Sequence, residues 1–193
     1  MMALVNLVGT TAFAQLVYFA KDRLHATDTE IGILFAADSL GVVVLSLAAG
    51  RLRRRWRFST VALGALMLSG VLTVVFAAVP AYWLAVPLWG LIGGLGILFN
   101  INTSSLRQAI VPNHLLGRVM SVAMVLAWSA NPIGAVLGGL AIELTHDVAL
   151  IYTIVGVLTV LIPLRFSFTA LGHAERYIPT AASPGRETVP AGS

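Results

Sequence analysis

Cysteine is absent from the 193-residue chain, which excludes disulfide frameworks and thiolate metal sites. Charge is scarce: 10% of the residues are Asp, Glu, Lys or Arg, whereas 58% are hydrophobic. A soluble domain of that composition would expose large apolar patches, so the solvent of this chain is lipid. Near Met1 there is neither a charged leader nor a small-residue cleavage site, and the first apolar stretch is expected to be a retained helix. The motifs His-Glu-x-x-His and Gly-x-Ser-x-Gly are missing, and His25, His114, His146 and His173 fall in loops, at helix ends or in the tail. An enzyme is therefore not expected, nor is any cofactor or metal. A pore is disfavoured too, because no carbonyl filter sequence and no ring-forming acidic cluster is present.

Apolar runs divide the chain into segments at about 4–20, 30–50, 58–79, 82–102, 118–144 and 148–168. Each is close to the roughly 20 residues that span a bilayer core as a helix. The expected fold is all-α and polytopic, with six transmembrane helices in residues 1–171. Thr27 followed by Glu30 has the spacing of a capping box at the start of the second span. The segment 172–193 is rich in Pro, Ala, Gly and Ser, and reads as a disordered cytoplasmic tail.

The net charge of +4 does not point to nucleic acid, because the basic residues follow the loops. Lys21 and Arg23 lie in the first connection; Arg51, Arg53, Arg54, Arg55 and Arg57 lie in the second. Arg107 and Arg118 belong to the fourth, and Arg165, Arg176 and Arg186 to the tail. The positive-inside rule then predicts both termini in the cytoplasm. Tyr82 and Trp83 on the outer side and Trp56 on the inner suit interfacial anchors.

Polar residues are unevenly shared among the spans. The third and sixth hold little beyond Ser, Thr and Tyr and are expected at the periphery. In the first, Thr11, Gln15 and Tyr18 fall within an arc of roughly 60°, a stripe that faces either a cavity or a neighbouring helix. Asp38 in the second span lies eleven residues beyond Thr27. That is roughly 16 Å along the helix, near the midplane. A carboxylate at that depth costs on the order of 3 kcal/mol, which makes Asp38 the candidate proton carrier, with a purely structural hydrogen bond as the alternative.

The fourth span carries Gly90 and Gly94 at the small-xxx-small spacing and ends near Asn100. The fifth carries Pro132, which cannot donate to the carbonyl of Trp128, so a bend is expected there, with Asn131, Ser129 or water serving the freed acceptor. Trp128, Asn131, Ala135 and Gly138 fall on one stripe, read as the interior face.

Six helices with a basic connection after the second, together with Leu106-Arg107-Gln108, Val111-Pro112, Gly117-Arg118-Val119-Met120-Ser121, Asn131-Pro132-Ile133-Gly134 and Gly138-Gly139, resemble the C-terminal half of the major facilitator superfamily. The segment from Leu106 onward is similar to bacterial drug, macrolide and siderophore exporters. Gly50-Arg51-Leu52-Arg53-Arg54-Arg55 resembles the weaker copy of the family's cytoplasmic signature loop, without its aspartate. Pro132 with Gly134, Gly138 and Gly139 resembles an antiporter Pro-Gly motif.

The resemblance implies a half-bundle of two three-helix inverted repeats in a bacterial inner membrane, working by alternating access. It implies proton-coupled efflux of a small lipophilic compound, with Asp38 as proton carrier. Thr11, Gln15, Tyr18, Asn100, Trp128 and Asn131 would line the substrate cavity. Arg51, Arg53, Arg54, Arg55, Arg107 and Arg118 would lie at the cytoplasmic gate or on lipid headgroups. Pro132, Gly90, Gly94, Gly134 and Gly138 would serve bending and packing. The partner would be a missing N-terminal half or a second six-helix chain; a truncated or non-transporting membrane subunit is the alternative.

Overall fold

The computed structural model describes residues 2–55 and 58–167, without the side chains of Arg53, Arg54, Phe58, Ser59, Arg107, Ala109, Asn113 and Ser167. The expected disordered tail, the Trp56 anchor, and Arg57, Arg176 and Arg186 lie outside the described residues. Every element among those described is a helix: α1 (Met2–Ala14), α2 (Leu16–Arg23), α3 (Asp28–Arg55), α4 (Phe58–Ala78), α5 (Tyr82–Ile110), α6 (Asn113–Thr145) and α7 (Val148–Ser167). Five are long and apolar enough to cross a membrane, and α1 with α2 makes a sixth, broken span bent by 43°.

That break divides the expected first span, 4–20, into two helices. Gln15 sits at φ −94°, ψ 5°, in the sparsely allowed bridge region. Redirecting the chain there lets Leu16, Phe19 and Ala20 become fully buried.

Helix ends follow the chemistry of the flanks. At the start of α3, the Thr27 amide and hydroxyl donate to Glu30 Oε2 at 2.8 Å each, and the Glu30 amide donates to Thr27 Oγ1 at 3.4 Å, as the capping box requires. His146 closes α6 in the left-handed conformation with its amide on Ile142 O, and Asp147 Oδ1 accepts from the amides of Ala149 and Leu150 to start α7.

The helix ends that carry arginines run further than the apolar segments suggested. The α3 helix continues through Arg51 to Arg55, α5 through Arg107 to Ile110, and α6 begins at Asn113, ahead of Arg118. These arginines sit on helix turns instead of in loops, because arginine is a good helix former and its long side chain can reach water from the last turns.

Packing repeats itself. The principal pairings are α3 with α5, α1 with α6, α4 with α7, α4 with α5, and α1 with α7. Exchanging the first three spans with the last three maps α3·α5 onto α6·α1, α4·α5 onto α7·α1, and α4·α7 onto itself. Three spans end on the opposite side of a bilayer from where they start, so the second set runs inverted. This is the two-repeat half-bundle.

Backbones touch at glycine in the α3·α5, α1·α6 and α4·α7 pairs. A Cβ on Gly41 would strike Gly90 O, one on Gly94 would lie 2.6 Å from Gly41 O, and one on Gly134 would strike Leu7 O. Gly70 and Gly156 face each other across α4 and α7, each 2.8 Å from the other's carbonyl oxygen if given a Cβ. Gly90, Gly94, Gly134 and Gly138 thus lie at helix–helix contacts, the first two at the small-xxx-small spacing.

The third and sixth spans are not peripheral within this chain. Of the apolar stretch of α4, 50% is buried, against 11% for α3. Val and Leu pack equally well on protein or on acyl chains, so an apolar sequence cannot report which surface it meets. The core of the bundle is an aromatic cluster in which Phe19 stacks on Phe76 with centroids 4.7 Å apart and meets Tyr152 at 4.6 Å, while Trp89 lies 5.1 Å from Phe76.

Candidate functional site

Asp38 lies about 15 Å into α3, half-buried and directed at α5, where its Oδ1 occupies the space that a Cβ on Gly93 would fill. No basic side chain pairs with it among the described residues, whose ion pair is Lys21 Nζ to Asp28 Oδ1 at 2.9 Å, at the exposed end of α2. The carboxylate therefore depends on backbone proximity and on the cavity it borders, together with Phe13 of α1 and Trp89 of α5.

A second polar group of residues joins α1 to α6. Thr10 Oγ1 donates to Asn131 Oδ1 at 3.0 Å, Thr11 Oγ1 to Gly134 O at 2.9 Å, Gln15 Nε2 to Ala135 O at 3.3 Å, and Asn6 Nδ2 to Ala127 O at 3.1 Å. Thr11 and Gln15 thus make the interhelical contact that was the alternative to a cavity wall. Tyr18 leaves that stripe and is exposed, because the break at Gln15 rotates everything after it.

Other expected positions divide between exposed and packed faces of this chain. Trp128 is 71% exposed and does not share the packed face of Asn131 and Gly138, which meets Thr11 and Gln15. Asn100 is exposed and spends its amide on Gly96 O of its own helix at 3.2 Å. The α6 helix runs unbroken through Pro132, which is exposed; Ser129 Oγ donates to Leu126 O and Asn131 Oδ1 is taken by Thr10, so Ser129 does not serve the Trp128 carbonyl. Arg51, Arg55 and Arg118 are exposed, while the side chains of Arg53, Arg54 and Arg107 lie outside the described residues. Tyr82 is buried with its hydroxyl on Glu30 O at 2.9 Å, tying α5 to the start of α3, whereas Trp83 is exposed as an interfacial anchor would be.

The sequence reading missed Trp89, Asn6, Thr10 and Asn102. Asn6 and Thr10 are four apart and so share a helix face, a signal that was available. Asn102 is fully buried, with Nδ2 donating to Leu98 O at 2.8 Å and Oδ1 unpartnered. Trp89 Nε1 is likewise buried and unpartnered.

The arrangement offers one deep carboxylate beside a cavity, flanked by a broken helix and by glycine-mediated contacts that let whole helices lie backbone to backbone. Among the described residues no group of His, Cys, Asp and Glu could hold a metal ion. The sequence model described as Major Facilitator Superfamily matches residues 1–191. The enterobactin exporter EntS of Citrobacter koseri is 30% identical over 122 residues, 63% of this chain and 29% of that protein. The multidrug efflux pump Tap of Mycolicibacterium fortuitum is 29% identical over 145 residues, 72% of this chain and 34% of that protein. The chain therefore spans about a third of the length of these curated relatives. No solved structure matches it.

Proposed function

The chain belongs to the Major Facilitator Superfamily, and from that premise we propose that it forms one half of a proton-coupled exporter of small lipophilic compounds. The observation that carries this reading is Asp38, a carboxylate at mid-span, half-buried beside a cavity and without a basic partner among the described residues. An intramembrane carboxylate of this kind gains and loses a proton at a cost that couples to its surroundings. Protonation of Asp38 would favour one of two states between which the halves rock, exposing a central site to each side in turn. Export is supported by the two relatives, named as an exporter and an efflux pump.

The other half would cover the face on which α3 exposes Leu40, Val43, Val44 and Leu47 and α6 exposes Val122, Val125 and Trp128. Both termini would be cytoplasmic in a bacterial inner membrane, with Arg51, Arg55 and Arg118 on anionic headgroups, each contributing about 1 kcal/mol of surface attraction. A membrane subunit without transport of its own is the second reading, favoured by the same uncovered face.

The test is efflux of a lipophilic fluorescent dye from proteoliposomes under an imposed pH gradient, with this chain reconstituted alone and with a complementary six-helix half. Gradient-driven efflux that is lost in Asp38→Asn and kept in Asp38→Glu is expected. Efflux indifferent to Asp38→Asn would remove the proton-carrier role, and no efflux in either reconstitution would leave the subunit reading.

A further inference from the structure

Between α1, α3, α4, α5 and α7 lies a cavity of about 200 Å³, the one that Asp38 borders. Val5 and Phe13 of α1, Leu66 of α4, Ile92 of α5 and Val155 of α7 make most of its wall apolar, and Asp38 is the one ionisable group among the described residues that line it. The carboxylate oxygen Oδ1 lies against Gly93, which lines the same cavity. No basic side chain among the described residues pairs with it.

An aromatic ring completes the setting. Phe35 stands three residues before Asp38 and so shares its side of α3. The ring of Phe13 meets that of Phe35 with centroids 5.8 Å apart, so a ring from α1 stands beside the turn of α3 that carries the carboxylate. Phe13 is 48% exposed and Asp38 half-buried, and beside these two the cavity meets the surface of the bundle.

We propose that this cavity binds an organic monocation built on a single aromatic ring, with the ring among the apolar residues and the cationic nitrogen between the Asp38 carboxylate and the Phe13 ring. The composition of the wall selects that class. An anion would meet a carboxylate and no basic side chain. A neutral solute would leave the carboxylate without a counter-charge in a largely apolar surround, which is costly. A hard metal cation takes about six oxygen ligands or more, and this wall offers few. An organic cation is attracted both by the carboxylate and by an aromatic face, and its apolar body packs on the remaining wall. Size agrees, because an apolar cavity of about 150 Å³ takes benzene, and this one has room for such a ring and a small charged head. As a substrate class for export the inference rests on the transport reading above; the binding does not, since the titration below reads binding and dye efflux reads transport.

The experiment is isothermal titration calorimetry of benzyltrimethylammonium into the full chain in lipid nanodiscs, with empty nanodiscs as the baseline and phenylacetate, a similar ring of opposite charge, as the comparison. Saturable binding of the cation and none of the anion is expected. Asp38→Asn keeps the shape of the side chain and should weaken binding by about tenfold or more, while Phe13→Leu should weaken it severalfold by removing the ring face. Phe13 is partly on the surface, so its replacement leaves the core intact and keeps the test decisive even where the Asp38 variant fails to fold. No heat beyond that of empty nanodiscs, phenylacetate bound as tightly as the cation, or an affinity unchanged in a folded Asp38→Asn protein or in Phe13→Leu would each overturn the proposal.

Discussion

The carboxylate of Asp38 and the missing side chain of Gly93 occupy the same place: Oδ1 of the aspartate stands where a Cβ on the glycine would be. The position of the only acidic group deep in α3 is thus set by a residue on α5. Gly93→Ala should displace the carboxylate and reduce gradient-driven dye efflux as Asp38→Asn does. Gly32→Ala on the same helix as Asp38, with nothing within 4 Å of its Cβ, should not. Full efflux in a Gly93→Ala protein would show that the carboxylate works from another position.

Backbone contact at the α3–α5 crossing makes a stability prediction. A Cβ on Gly90 would lie 2.8 Å from Ala37 O, and overpacking of that kind costs about 1–3 kcal/mol. Gly90→Ala should lower the thermal unfolding midpoint in detergent, while Gly64→Ala, in open space on α4, should raise it, since helix propensity favours Ala over Gly by up to about 1 kcal/mol. Equal midpoints for the two variants would mean that the crossing relaxes freely.

Tyr152 lies fully buried in the aromatic cluster, and its hydroxyl donates to Ala12 O at 2.6 Å, joining α7 to the last turn of α1. Tyr152→Phe keeps the ring and removes the bond. Hydrogen bonds between membrane helices average about 0.6 kcal/mol and reach about 1.7, and unfolding by steric trapping should show a loss in that range. A larger loss would indicate that the bond also fixes the bend at Gln15.

Orientation can be read without removing any native thiol, because the chain has no cysteine. A membrane-impermeant maleimide should label Ala81→Cys in intact cells and Arg55→Cys only after permeabilisation. The reverse pattern would overturn the cytoplasmic placement of the arginine-rich helix ends.

Much of the architecture was legible in the residues. Apolar run lengths gave the number of spans, Thr27 and Glu30 gave a helix start, and the spacing of Gly90 with Gly94 gave one contact face. The break at Gln15 was not legible, since neither proline nor glycine stands there; it is decided by burial of Leu16 and Phe19 and accompanied by the bond from Gln15 to Ala135 O. Losing that one hinge displaced Tyr18 from its assumed stripe. Trp128 was placed on one stripe with Asn131 and Gly138 and lies on an exposed face of this chain, because periodicity gives the relative angles of residues and not which arc packs within the chain. Asp38 was legible because its charge is expensive in lipid, whereas Trp89 was not, because its isolation appears only once its neighbours are placed.

The pairing of α1 with α6 sets the order in which the protein can be completed as it is made. The first helix enters lipid with Thr10 and Thr11, whose partners on α6, Asn131 and Gly134, are 121 and 123 residues further along the chain. Until α6 is made those partners do not exist. Thr11 Oγ1, however, is also 2.9 Å from Leu7 O on its own turn, so its hydroxyl has an acceptor before α6 arrives. The first helix can wait in lipid with that hydroxyl satisfied, and handing it from Leu7 to Gly134 marks the arrival of the fifth span.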